Sequence, residues 1–219
     1  MSNFGKCTLI KLDKQFHLKQ KDFLPALENW LATSAELSEH ESTTLRFFKK
    51  RAARQVDNWN EQEYALNVIG PILSLVDFTT EESDFFAERA LAGIVDGEEL
   101  NGVPDAIIAK GRREPEIPYF CLQEWKREKD PDGDPAGQCL AAMLVAQELN
   151  KNQHPVYGCY TLGRNWFFMT LQGREYAISN SYTVTRDDIF DIFRILRGLR
   201  AMIAEWIAQD NDTITHRTI

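Results

Sequence analysis

Apolar residues recur along this chain with two different periods, and the change from one to the other marks out its elements. Between residues 20 and 55 the spacing is helical. Phe23, Leu24, Leu27, Trp30 and Leu31 fall on one face, as do Leu37, Leu45, Phe47 and Phe48 with charges between them. A further helix is expected from Asn60, which can cap it, with Glu63 three positions on completing a capping box. Tyr64, Val68, Ile69, Ile72 and Leu73 give that helix its apolar face, and Gly70-Pro71 is expected to kink it. The pattern then turns extended. Strands are predicted near 85–95, 102–110 and 118–126 as an antiparallel meander, with Asp96-Gly97 as a turn signal. Asp134 and Pro135 supply the cap and first position of a helix over 136–149. A strand over 156–162 should return beside the 118–126 strand after that helix crosses over. Stretches 166–171 and 176–181 read as an outer hairpin. Residues 187–208 read as an amphipathic helix, and the polar tail after Gln209 as a frayed end.

Two of the strands carry unusual charges. Pro104-Asp105 opens Ala106-Ile107-Ile108-Ala109, while Glu124-Trp125-Lys126 closes Tyr119-Phe120-Cys121-Leu122-Gln123. Residues two apart on a strand face the same way, so Glu124 and Lys126 should project together. Pairing of the two strands as a hairpin would bring Asp105 to them near one end. Phe120 and Leu122 share the face of Glu124 and Lys126, and charges continuing a buried face are uncommon unless paired or liganding. Two carboxylates suit a hard divalent cation, and a phosphodiester under attack suits both the cation and the ammonium. Taken singly, each residue is also explained as an ordinary surface charge.

The set of Pro104-Asp105, eighteen intervening residues (106 to 123) and Glu124-X-Lys126 resembles the signature of the PD-(D/E)XK nuclease superfamily, which includes type II restriction enzymes and the nuclease domains of type I restriction subunits. The likeness extends from about Trp59 to Ile207. It implies an α/β, restriction-endonuclease-like fold, a mixed central sheet flanked by helices, over residues 58–209. Residues 1–57 are then an N-terminal helical extension and 210–219 a polar tail. The resemblance further implies that Asp105 and Glu124, with the Trp125 carbonyl and Glu61, hold Mg²⁺ or Mn²⁺, and that Lys126 assists the attacking water. Glu61 is the early helical acid matching the family's pattern, with Glu63 as the substitute. Gln138, opening the helix after the motif, matches a family glutamine that orients the site; the plain alternative is a first-turn residue exposed to water. Arg112, Arg113, Arg127 and Lys129 flank the motif and are the expected contacts to a nucleic-acid backbone.

Composition modifies this picture at a few points. The formal charge of −8 counts against a nucleic-acid partner, although basic clusters at 49–54, 110–113, 126–129 and 194–200 leave room for a local positive field. No apolar run approaches the ~20 residues that span a bilayer. The start lacks a signal peptide's apolar stretch, so a cytoplasmic protein is expected. Cys7, Cys121, Cys139 and Cys159 are far apart, the histidines are scattered, and neither gives a zinc pattern. Residues 130–134 imitate a calcium loop, but the glycine is misplaced and turn plus helix cap is preferred. The reading is a nuclease acting on DNA. Its rivals are a silent nuclease-fold module that binds nucleic acid or protein, and a subunit active only with a partner. A homo-oligomer through the N-terminal helices would be compatible with any of these.

Overall fold

The computed structural model describes residues 2–126, 133–151 and 153–217, of which 121–126 and 210–217 are described by backbone alone. It shows a mixed α/β architecture in which a mixed sheet is flanked by helices on both faces. Seven strands run in the order β2-β10-β9-β8-β7-β6-β3, with β11 added on β9. They are β2 (Lys19–Gln20), β10 (Glu175–Ile178), β9 (Asn165–Gln172), β8 (Val156–Leu162), β7 (Ile117–Lys126), β6 (Ala106–Lys110), β3 (Ser83–Ala87) and β11 (Tyr182–Thr183). β3, β6 and β7 are antiparallel neighbours, and β8 lies parallel to β7 after a helical crossover.

That crossover helix, α6 (Pro135–Leu149), is buried on every side from Pro135 to Gln147. The main sheet covers one side. The other is covered by α1 (Leu9–Phe16), a 3₁₀ turn at Phe4–Lys6 and a small sheet of β1 (Ser2–Asn3), β5 (Glu98–Gly102) and β4 (Leu91–Val95). Its small residues Ala136, Gly137, Ala141, Ala142 and Ala146 permit such close approach. A Cβ added to Gly137 would stand 2.5 Å from Thr8 Cα, well inside van der Waals contact.

The small sheet corrects the expected meander. The single strand foreseen over 85–95 is two strands in different sheets, divided at Glu88, whose φ of 50° turns the chain. The β4–β5 hairpin therefore leaves the main sheet to cover α6, and returns at β6. Asp96 and Gly97 make its two-residue turn, with φ of 51° and 82° and Val95 paired to Glu98. Positive φ at both positions is what a twisted two-residue hairpin requires.

The opposite face of the main sheet packs against α2 (Pro25–Leu31), α3 (Glu39–Gln55), α4 (Glu61–Tyr64), α5 (Gly70–Val76) and α7 (Asp188–Arg217). Helical reading of 20–55 is thus resolved into α2 and α3, while α1 and the two-residue strands β1 and β2 were not foreseen. The first 57 residues do not stand apart from the core. Trp30 is fully buried, donates its indole N–H to the Ile195 carbonyl at 2.8 Å, and meets Phe120, Tyr157 and Phe168 edge to face. The bend foreseen at Gly70-Pro71 is preceded by a π-helical turn at Ala65–Ile69, joining α4 to α5. At the C-terminus α7 continues to Arg217, so residues 210–217 extend a helix where a frayed tail was expected. Among the described residues, Cys7, Cys139 and Cys159 are buried free thiols, and no helix is long and apolar enough to cross a membrane.

Candidate functional site

Backbone register brings the two halves of the motif to one end of the sheet. β6 and β7 are antiparallel, with Ala106 opposite Leu122 and Ile107 opposite Cys121. One further step sets Asp105 beside Gln123, next to Glu124. Opposed backbones in such a ladder lie about 5 Å apart. Asp105 occupies the bend before β6 and is half-buried; its carbonyl accepts the Glu88 N–H at 3.1 Å, tying the bend to β3. The side chains of Glu124, Trp125 and Lys126 lie outside the described residues, as do Arg127 and Lys129 altogether.

The β7 backbone is irregular where the motif falls. Gln123 pairs with Tyr160 and Lys126 with Leu162, so three steps on β7 match two on β8. An inserted residue thus falls at Glu124–Trp125 and interrupts the strict two-residue period behind the expected shared face of Glu124 and Lys126. Bulges of this kind release backbone groups from the ladder and recur beside active sites.

Two helices bracket this end of the sheet from opposite faces. α6 begins after the connection from β7. The Asp134 carboxylate accepts the Gly137 N–H at 3.0 Å as its N-cap, and the Leu9 N–H of α1 at 2.8 Å. Gln138, in the first turn, is 5% exposed. The alternative of a glutamine open to water is therefore removed. On the other face α4 contacts β7. Its cap is the expected one: the Asn60 side chain accepts the Glu63 N–H and the Glu63 carboxylate accepts the Asn60 N–H, each at 2.8 Å. Glu63 is thereby engaged in the cap, while Glu61 is exposed in the same first turn. The Tyr64 hydroxyl accepts the buried Trp166 indole N–H at 2.9 Å, fixing α4 on the sheet at the level of Thr161, which pairs with Trp166. Burial drives the Tyr64 phenol far above the ordinary tyrosine value.

Arg112 and Arg113 are exposed in the β6–β7 turn. They occupy the far end of β6 from Asp105, seven residues or roughly 20 Å away along an extended chain. A hairpin carries its turn away from its open end, so these arginines and Asp105 stand at opposite ends of β6. Described cations at the motif end include Arg89, which follows Glu88, and Arg164, in the β8–β9 turn two residues beyond Leu162, whose partner is Lys126. Arg164 pairs with Asp57, just ahead of α4. Sequence gave no cue to it, since its neighbours there come from elsewhere in the chain.

Among the described residues no group of three or more His, Cys, Asp or Glu is gathered to hold a metal ion. A cation at Asp105 would need the Glu124 carboxylate and the backbone of the bulge as its further ligands. Carboxylate and carbonyl oxygens are hard donors of the kind Mg²⁺ or Mn²⁺ takes, and the backbone places residues 124 and 125 at the end where Asp105 lies. No protein-family model matches the chain, and no match is found among characterised proteins.

Proposed function

We propose that this chain is a metal-dependent nuclease of the PD-(D/E)XK type, with a restriction-endonuclease-like fold, that hydrolyses phosphodiester bonds in DNA. The observation carrying this reading is the β6–β7 register, which sets Asp105 against the end of β7 that bears Glu124-X-Lys126. The order of elements supports it: an acidic helix α4, antiparallel β3, β6 and β7, the helix of Gln138, then β8 parallel to β7. Asp105, Glu124 and the Trp125 carbonyl would hold Mg²⁺ or Mn²⁺, which when bound supplies Lewis acidity and lowers the pKa of a coordinated water.

The chain's own groups then divide the remaining work. The Lys126 ammonium positions the attacking water or balances charge developing on the phosphate oxygens. Gln138, held in the buried first turn of α6, offers an amide to orient a carboxylate or the water. Glu61 is the candidate for an additional carboxylate, since Glu63 is engaged in capping α4. The formal charge of −8 favours a second reading, a binding module without turnover. A panel of single-stranded, duplex and branched DNA and of RNA, incubated with Mg²⁺ or Mn²⁺ and with chelator, separates the two. Metal-dependent cleavage of DNA is expected. Binding without cleavage across the panel selects the module.

A further inference from the structure

We infer that Arg164 is a phosphate-binding residue for the strand engaged at this site, and that Asp57 is an internal acid which the nucleic-acid backbone displaces from it. The inference rests on the nuclease reading for its ligand, and on three structural observations for its place. First, Arg164 stands at the motif end of the sheet, in the turn after Leu162, the β8 partner of Lys126, with its carbonyl fixed by the Val184 N–H at 3.0 Å. Second, its guanidinium is paired to Asp57 at the surface, the two side chains being 37% and 75% exposed. A surface pair of this kind contributes little to stability and yields readily to another anion. Asp57 meets the guanidinium through a single oxygen, Oδ1 on Nη2, whereas a phosphate can offer the fork two.

Third, Asp57 lies just beyond α3, whose last turns carry Arg51 and Arg54, both exposed. The chain continues in a turn from Gln55, with the Asn58 N–H bonded to the Gln55 carbonyl at 2.8 Å, so Arg54 and Asp57, three apart, stand on neighbouring positions. The C-terminal turns of α3 therefore lead a basic face toward Arg164 and the motif end. Lys49, one turn earlier, is held by Asp187 at 2.6 Å and belongs to the α3–α7 contact. Asp57 thus stands between Arg54 and Arg164, which make a short basic track toward the end of the sheet where the motif lies, in a molecule whose total charge is negative. Asp57 screens the track in the free protein. Phosphate binding exchanges one anion for another at Arg164.

The test uses the whole chain and a labelled short DNA duplex, with affinity measured in EDTA over a range of salt. Arg164→Gln is expected to weaken binding by about threefold to tenfold and to reduce the salt slope by about one ion. Asp57→Asn is expected to strengthen binding by about twofold to fivefold. Both substitutions break the same ion pair, so a merely structural role for it would move both affinities the same way. Shifts in the same direction, or none in either variant, overturn the inference. Opposite shifts in a protein that cleaves nothing with Mg²⁺ or Mn²⁺ would keep the phosphate track and reject the nuclease reading. Cleavage with neither affinity altered would do the reverse.

Discussion

Glu41 shows how a single carboxylate ties two helices whose contact no local pattern announces. It closes the capping box of α3 with Ser38 and reaches across to Arg197 of α7 at 2.7 Å. Partial burial pushes its carboxyl up, but the Ser38 backbone N–H, the Ser38 hydroxyl and the Arg197 guanidinium outweigh that and hold it below the ordinary glutamate value. A carboxyl depressed in the folded state adds stability that is complete above its unfolded value and is lost as pH falls through the folded one. Melting temperatures of wild type and Glu41→Gln should therefore differ at neutral pH and converge in acid. A gap unchanged with pH would show that the carboxylate's charge contributes nothing to this junction. The capping half of the arrangement is the kind that sequence displays, as Asn60 and Glu63 did for α4. The Arg197 half depends on tertiary contact between residues 156 positions apart.

At the scale of elements, α6 joins the motif to the rest of the core. Asp134 caps it and also binds the start of α1, so one carboxylate fixes two helix N-termini against each other. Each such cap is worth about 1 kcal/mol. Asp134→Ala should lower unfolding free energy by about 1–2 kcal/mol, and Asp134→Asn by less, because the amide retains one acceptor oxygen. Denaturant midpoints of the three proteins check this order. Equal midpoints for alanine and asparagine variants would mean that the retained amide oxygen contributes nothing to either cap. The cap and the first-position proline were visible in sequence because both act within one turn. The division of β3 from β4 was not. Phe85, Phe86, Leu91, Ile94 and Val95 form one apolar run by composition, and only the turn at Glu88 and the need to cover α6 assign its halves to different sheets. β1 and β2 are two residues each, too short to carry a period at all.

For the molecule as a whole, the legible part was the ladder that sets Asp105 against the end of β7, since it follows from two strands and the turn between them. What sequence left hidden was which cations gather there. Arg112 and Arg113 adjoin the motif in sequence but sit at the opposite end of the hairpin, whereas Arg164 and the end of α3 arrive through folding. The bulge at Glu124–Trp125 was hidden as well, because it arises from pairing with β8 across the crossover. If this end of the sheet binds a cation, millimolar Mn²⁺ should raise the melting temperature of wild type, since a ligand of the native state adds RT ln(1 + [L]/Kd). Asp105→Asn should respond little, and an equal response in both proteins would put the cation elsewhere. The central claim is hydrolysis at that end. It is tested most directly by incubating purified wild type and Asp105→Asn side by side with the same DNA and Mg²⁺. The account predicts cleavage by wild type that chelator abolishes and that is lost in Asp105→Asn, with the variant's fold intact by circular dichroism. Equal cleavage by both proteins, or none by wild type on any DNA or RNA offered, would contradict it.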